Sequence, residues 1–477
     1  MSRKITGVIL FLTLAGFYLW LGQEAYRHGF TSLENLFYTE KTLLALRGEP
    51  PRLENVGLVY PPLPFLLNML LPGLNISGAV IGAILTACLL LRIGRSSFCP
   101  ASTKVSFFFL LAGSFPVLFL FTQKPASAFF FALFTLANYF LLLFYETRYT
   151  QYLFLFGFSY GLCFLAAYES LFLLPYYLVV SAYLIRLKNP AYFFSMIMVA
   201  YFPLLFFLGA WAYLNWLFTE DPFHFLHSPY SYFLAYRDFL PFIAQTKGSI
   251  IQSFFFTVVS SLPFAGFYYL LLPFLKKEER PVAFSPYFLI YVAPFLLLFF
   301  QVYCGLSLPG VFKLSLFVFF GALFVSQLKS RLILKIMPFL LTIALIWCWW
   351  AAWESPAQEE KTFARFLAGR SFSANLGAYQ EVAKEIKEAN GKVLLDDSQL
   401  YPVVAIDGFP RRYILPYNYE FDLVLSHPSS FVEYVVVYSD PAKDRVAGVW
   451  PQAVKGFLPG FYPLFAKEKI IVFKRWF

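Results

Sequence analysis

Charged residues are scarce in this sequence. They make up 13% of its 477 residues, whereas 59% are hydrophobic and 62 are phenylalanine. Ordinary soluble domains carry about 25% charged residues. The composition therefore excludes a soluble globular protein and predicts a polytopic α-helical membrane protein.

Cysteine and histidine are also rare, with five and four residues. The cysteines have neither zinc nor redox spacing, so we expect no disulfide and no structural zinc. His224 and His227 fit polar contacts of an aromatic belt better than metal ligands, because no set of carboxylates accompanies them. The motifs of serine hydrolases, zinc proteases and phosphate-binding loops are missing. No cofactor is assigned, and only a divalent metal is left open.

Apolar runs dominate the first 353 residues, and eleven of them are candidate membrane spans. Lysine and arginine cluster at alternate ends of these runs, which predicts a cytoplasmic N-terminus. The net charge of +10 then reflects topology and requires no nucleic-acid partner. The runs cover residues 5–22, 76–91, 105–121, 126–144, 153–167, 171–185, 192–218, 250–275, 284–302, 306–325 and 336–353.

The loop at residues 23–75 is predicted to lie outside and to be folded. Thr31 or Ser32 can cap a helix that carries Glu34 in its first turn, where the helix dipole favours a carboxylate. Gly48 is expected to end this helix. The sequence therefore predicts a short surface helix that holds a carboxylate near the membrane boundary.

Two further external features are predicted. Tyr60-Pro61-Pro62 forbids helix before the prolines, so a second surface helix is expected from about Pro62 to Leu71. This apolar stretch is too short to cross about 30 Å of hydrocarbon. The loop at residues 219–249 mixes charged and aromatic residues, which suits another surface-lying segment.

Residues 354–477 form a different region, in which charges return and the periodicity is mixed. Strands alternate with helices there, which predicts an external α/β domain. Asp396 and Asp397 are interpreted as structural turn residues that end a strand, with a metal or acid site as the alternative. Helices are predicted at 376–389 and 422–425, and strands at 392–396, 412–415, 433–438, 462–465 and 469–473.

This pattern resembles the GT-C membrane glycosyltransferases, most closely the bacterial branch related to aminoarabinose transferases and protein O-mannosyltransferases. The sharp motifs are residues 34–48 and the sequence Tyr60-Pro61-Pro62-Leu63. The resemblance implies an integral, multi-pass protein of the bacterial inner or plasma membrane. It also implies transfer of a sugar from a polyprenyl-phosphate donor to a lipid, glycan or protein acceptor on the outer face.

The resemblance also implies roles for named residues. A single-displacement, inverting transferase needs one base, and Glu34 is the candidate. Arg237, Lys313 and Lys124 are candidate ligands of the donor phosphate, with membrane anchoring as the alternative. Three other candidates are Asp221 and Asp238, as second acids, metal ligands or loop caps, and Tyr60, whose motif is interpreted as architectural.

Two alternatives remain open. The family usually has Asp where this chain has Glu34, and often Lys where it has Glu169, so the chain could be an inactive scaffold that binds a lipid-linked sugar or a partner. A transporter is the other reading, although no internal repeat supports it.

Overall fold

The structure is a computed structural model. It describes residues 3–52, 57–96, 98–185, 189–228, 246–271, 286–305, 310–327, 331–372, 376–387 and 391–476. These residues form two compact units. The first contains Met1–Leu21, Leu58–Pro64 and Asn75–Phe372, and the second contains Gly22–Gly57, Phe65–Leu74 and Ser373–Phe477.

Helices make up most of the described chain before residue 372. In chain order they are α1 Arg3–Arg27, α2 Leu33–Arg47, α3 Pro62–Leu70, α4 Ile76–Arg95, α5 Ala101–Gly113, α6 Phe115–Gln123, α7 Pro125–Thr147, α8 Thr150–Ala166, α9 Leu174–Ile185, α10 Pro190–Thr219, α11 His224–His227, α12 Ile250–Leu271, α13 Pro286–Tyr303, α14 Ser315–Val325, α15 Arg331–Glu354 and α16 Gln358–Leu367. Short 3-10 helices cover Tyr168–Leu173 and Val311–Leu314.

The predicted membrane spans are confirmed as apolar helices. Within the described residues, seven helical segments are long and apolar enough to cross a membrane, and four shorter apolar helices accompany them. Each of the eleven predicted spans corresponds to one of these segments. The third span consists of α5 and α6, which meet at Ser114. The chain is therefore an integral membrane protein.

Small residues allow close packing of neighbouring helices, as is common among membrane helices. A Cβ atom added at Gly157 of α8 would lie 1.6 Å from the carbonyl oxygen of Ala200 in α10. A Cβ atom at Gly82 of α4 would lie 2.2 Å from the ring of Phe121 in α6. These glycines thus set the separation of the helices in the first unit.

The second unit is built around a five-stranded sheet. Its strands are β1 Val393–Leu394, β2 Tyr413–Ile414, β3 Tyr434–Tyr438, β4 Phe461–Lys467 and β5 Ile470–Arg475. The strand order is β2-β1-β3-β5-β4, with β2, β1 and β3 parallel and the last two strands antiparallel. The helices of this segment are α17 Gly377–Lys387, α18 Asp397–Asp407, α19 Phe421–Ser426, α20 Pro428–Phe431 and α21 Arg445–Val449. The predicted α/β fold is confirmed.

Asp396 follows strand β1 and has a structural role, as predicted. It is the N-cap of α18 and accepts a hydrogen bond from the backbone N–H of Ser398 at 2.9 Å, and the helix itself was not predicted. The helix runs past Pro402, a residue that argues against helix in sequence patterns. Tertiary packing of its apolar face therefore overrides the local signal.

Residues 23–57 and 65–74 belong to the same compact unit as the sheet. Leu44 of α2 is fully buried in the core formed by α17, α18 and one face of the sheet. Leu36 of α2 packs with Leu376 and Ala405. The second unit thus joins three separate parts of the sequence, and residue 353 is not one of its limits.

Candidate functional site

Helix α2 begins as the sequence predicts. Ser32 is the N-cap, and its hydroxyl accepts a hydrogen bond from the backbone N–H of Asn35 at 3.2 Å. The Asn35 side chain donates to the Thr31 hydroxyl at 3.3 Å. Glu34 lies in the first turn, half-buried, with the carboxylate oxygen Oε1 shielded from solvent. The carboxylate therefore lies at the positive end of the dipole of α2.

The end of α2 and the start of α3 also follow the prediction. Gly48 is the C-cap of α2 and donates its backbone N–H to the carbonyl of Leu44 at 2.9 Å. Helix α3 begins at Pro62, directly after Pro61. Tyr60 is half-buried just before this start, in the first unit. The Tyr60-Pro61-Pro62 motif therefore sets where a helix begins, as an architectural element does.

Lys313 lies in the 3-10 helix before α14 and is only 4% exposed. Its ammonium donates to Oε1 of Gln301 at 2.8 Å. The amide of Gln301 in turn donates to Oε1 of Glu169 at 2.7 Å. A charge in an apolar helix is costly unless it is bound in this way. The three side chains form a buried chain of polar contacts inside the first unit.

A buried carboxylate holds the backbone next to Lys313. Glu360 of α16 accepts the backbone N–H groups of Val311 and Phe312, each at 3.0 Å, and the hydroxyl of Ser355. Burial raises the pKa of Glu360, and these hydrogen bonds work in the opposite direction. The carboxylate thereby satisfies N–H groups at the start of the 3-10 helix, which have no partner within the helix itself.

Lys124 binds helix α16, which also carries Glu360. Its ammonium lies 2.9 Å from Oε2 of Glu359, with both side chains largely buried. The charges of Lys124 and Lys313 both act on Glu360, the next residue. The structure therefore brings the two predicted cations together around Glu359 and Glu360.

The predicted base does not belong to the unit that contains these cations. Glu34 belongs to the second unit.

Asp221 has a local role in its loop. Its Oδ1 accepts the backbone N–H of Phe223 at 2.9 Å, and its Oδ2 lies 3.4 Å from Nδ1 of His227. This is the loop-capping role that was the alternative for Asp221. Arg237 and Asp238 lie outside the described residues. In the part of the chain that the structure describes, no group of three His, Cys, Asp or Glu residues could hold a metal ion.

The contacts described above form one group, here called the Lys313 cluster, which contains Lys313, Gln301, Glu169, Glu360, Glu359 and Lys124. Sequence reasoning missed several of its members. Gln301 was available as a signal, because an amide inside an apolar run needs a partner. Glu359 and Glu360 follow the last span directly, but only the fold shows that they reach residues 311–313. Long-range partners of this kind leave no periodic pattern in the sequence.

Comparison with known structures finds the same fold in a crystal structure of ArnT from Cupriavidus metallidurans bound to undecaprenyl phosphate. The TM-score is 0.57, and the match covers 98% of this chain and 97% of the ArnT chain. The two sequences are 12% identical, so the similarity is one of fold. No protein-family model and no curated protein matches the chain. The predicted fold class, a polytopic helical membrane protein with a C-terminal α/β segment, is confirmed by this match.

Proposed function

We propose that this chain is a membrane glycosyltransferase that moves a sugar from a polyprenyl-phosphate donor to an acceptor on the outer face of the membrane. The observation that carries the proposal is the similarity of fold, over almost the whole chain, to ArnT bound to undecaprenyl phosphate. The buried Lys313 cluster adds a chemical argument, because a lipid phosphate in an apolar setting requires cations.

Lys313 and Lys124 are the proposed ligands of the donor phosphate. Both ammonium groups are held by neutral or acidic side chains of the first unit, so they are already oriented. A phosphate oxygen is a stronger acceptor for the Lys313 ammonium than the amide oxygen of Gln301, because charge-assisted hydrogen bonds are shorter and stronger. Arg237 remains the third proposed ligand, from the loop at residues 219–249.

Glu34 is the proposed base. The acceptor hydroxyl oxygen attacks the anomeric carbon while the bond from that carbon to the phosphate oxygen breaks, which inverts the configuration. The hydroxyl proton passes to the Glu34 carboxylate, and the bonding electrons leave with the polyprenyl phosphate. The cations that bind the phosphate stabilise the charge that develops on this leaving group. No metal is required by this assignment of roles.

The donor site can be tested with undecaprenyl phosphate itself as the probe. We expect Lys313→Gln to weaken its binding to the purified full-length protein at least tenfold, the usual worth of a charge-assisted contact. Lys361→Gln is the matched control, since it removes one lysine charge from helix α16 and leaves Lys313, Lys124, Glu359 and Glu360 unchanged. Binding is measured by native mass spectrometry of the protein in detergent. Equal affinity of the Lys313→Gln variant and the parent would remove Lys313 from the site.

The inactive scaffold remains the alternative function, because Glu34 stands where the resembling family usually has Asp. A scaffold would bind undecaprenyl phosphate as the enzyme does. It differs in showing no sugar transfer in the parent protein when donor and acceptor are both supplied.

A further inference from the structure

The sheet of the second unit has a topological switch point. From β1 the chain passes through α18 to β2 on one side, and β3 then pairs with β1 on the other side. In open sheets with parallel strands, ligands bind in the crevice outside the carboxyl ends of the strands at such a point. The residues that follow β1, β2 and β3 therefore lie at the edge of the sheet where such sites form.

Two of the aspartates at this edge serve the backbone. Asp396, after β1, caps α18 and also accepts the backbone N–H of Arg445 at 2.7 Å. Asp444, after β3, caps α21 by accepting the N–H groups of Val446 and Ala447 at 2.7 and 3.1 Å. These contacts account for both carboxylates as structural groups.

Asp397 has a different partner. Its Oδ2 accepts a hydrogen bond from the ammonium of Lys41 in α2 at 2.7 Å. The side chains are 13% and 16% exposed, so this ion pair is largely removed from water. Breaking a buried pair by removing one partner is costly, because the other charge is left uncompensated. At this edge of the sheet, Asp397 thus binds a cation that the chain itself supplies, the ammonium of Lys41.

Glu40 completes the cluster. Its side chain is fully buried, with Oε2 3.4 Å from the Lys41 ammonium. Tyr417, after β2, has a buried hydroxyl. Its pKa is influenced by the charges of four nearby side chains, Glu40, Asp397, Lys41 and Arg52. Burial raises the pKa of Glu40 well above its usual value. Burial also acts to raise the pKa of Asp397, but the charge and hydrogen bond of Lys41, together with further hydrogen bonds, lower it overall. One ammonium and two carboxyl groups therefore lie together, and burial favours the neutral form of Glu40.

We propose that Asp397 is a positioning residue, which binds Lys41 at the switch point of the sheet and thereby fixes helix α2 and the Glu34 carboxylate that it carries. This inference rests on the proposed function, in which Glu34 is the base. Glu34 precedes Glu40 by six residues on one helix, which is roughly 9 Å along its axis. A shift of about 1 Å in a catalytic group is enough to lower turnover a hundredfold.

The exposed ion pair between Glu49 and Lys392 provides a matched control. It also joins the first loop to the sheet segment, with a distance of 2.8 Å, but its side chains are 64% and 44% exposed. Exposed pairs contribute little, because water screens them. Asp397→Asn and Glu49→Gln therefore each remove one acidic charge from an ion pair between the same two segments.

The test combines hydrogen exchange with turnover in the full-length protein. We expect Asp397→Asn to raise amide exchange in residues 33–47 at least tenfold. It should lower sugar transfer at least tenfold in membranes of the source organism, which supply donor and acceptor, and leave the affinity for undecaprenyl phosphate within twofold of the parent. Glu49→Gln should change neither exchange nor transfer by more than twofold. Combining Asp397→Lys with Lys41→Asp should restore part of the protection and of the turnover.

Each other outcome counts against the proposal. Unchanged amide exchange in Asp397→Asn would show that the Asp397–Lys41 ion pair does not fix α2. Raised exchange with normal sugar transfer would show that fixing α2 does not affect the reaction. Lys41→Gln makes the same test from the helix side if Asp397→Asn is not recovered in folded form. The proposed function fails separately, if Glu34→Gln transfers sugar at the parent rate while exchange in α2 is unchanged.

Discussion

Buried ionisable side chains are the residues that distinguish this chain from a simple apolar bundle. Lys313 was predicted from sequence, since a lysine inside an apolar run is expensive without a partner. Its partners Gln301 and Glu169 come from other spans, so no local pattern identified them. Glu40 gave no signal at all, because a glutamate on a short loop helix is normally a solvated residue.

The titration of Glu40 gives a prediction at this scale. A folded-state pKa above the unfolded value means that folding binds a proton, so this stabilising contribution is present at low pH and is lost as the pH rises through the raised pKa. Because burial raises the pKa of Glu40, we expect Glu40→Gln, which mimics the protonated side chain, to unfold at a higher temperature than the parent, by a margin that grows as the pH rises from the ordinary glutamate pKa through the raised one. Thermal unfolding of the second unit, followed by circular dichroism, measures it.

Glu49 provides the opposite sign as a control. Its hydrogen bond to Lys392 lowers the pKa of this exposed carboxyl, so its small contribution is present at neutral pH and is lost on acidification. Glu49→Gln should therefore not reproduce the margin at high pH. A constant difference between Glu40→Gln and the parent over the whole range would contradict the assignment of a protonated Glu40.

Secondary-structure elements were the part of the fold that sequence reasoning predicted best. The cap of α2, the start of α3 at Pro62 and the strands of the sheet follow from capping, proline and period-2 signals. Helix α18 was missed, because its Pro402 reads as a break and its apolar face is used only in the folded unit. Helix α16 was also missed. Its Glu359 and Glu360 bind Lys124 and Val311, and partners so far away in the sequence leave no local signal.

The 3-10 helix that carries Lys313 makes a prediction at the scale of elements. A Cβ atom at Gly310 would lie 2.6 Å from the ring of Phe312 and 3.0 Å from Oε1 of Glu360. We expect Gly310→Ala to displace this helix, to destabilise the protein by about 1–3 kcal/mol, the usual cost of overpacking, and to weaken binding of undecaprenyl phosphate. Thermal unfolding and native mass spectrometry measure the two effects.

Gly209→Ala is the control for this substitution. Gly209 lies inside α10, and a Cβ atom there would meet nothing within 4 Å. Alanine is a better helix former than glycine by about 1 kcal/mol, so this variant should be at least as stable as the parent. If Gly310→Ala behaves like Gly209→Ala, the backbone between Gly310 and Lys313 is not packed as described.

At the scale of the whole molecule, the class of fold could be predicted because hydropathy and the alternation of basic residues act over the full length of the chain. The grouping of residues 23–57 with the sheet segment could not be predicted, because Leu44 and Lys41 meet residues more than 330 positions away. The roles of Glu34 and Lys313 remain proposals for the same reason, since each belongs to a different unit.

Orientation in the membrane gives a further prediction at this scale. The basic residues at alternate ends of the spans predict a cytoplasmic N-terminus, and eleven crossings would then put the sheet on the outer face. We expect alkaline phosphatase fused after Phe477 to be active and green fluorescent protein at the same position to be dark. Fluorescence of the second fusion in intact cells would reverse the orientation and remove the proposed site from the outer face.

The most direct measurement of the central claim is the turnover of Glu34→Gln. Glutamine keeps the size and hydrogen-bonding capacity of the side chain but cannot take a proton. We expect sugar transfer in source-organism membranes to fall by roughly 10² to 10⁴, the usual worth of a positioned base, with undecaprenyl phosphate bound as tightly as by the parent. Transfer by Glu34→Gln at the parent rate would contradict the account and would exclude Glu34 as the base.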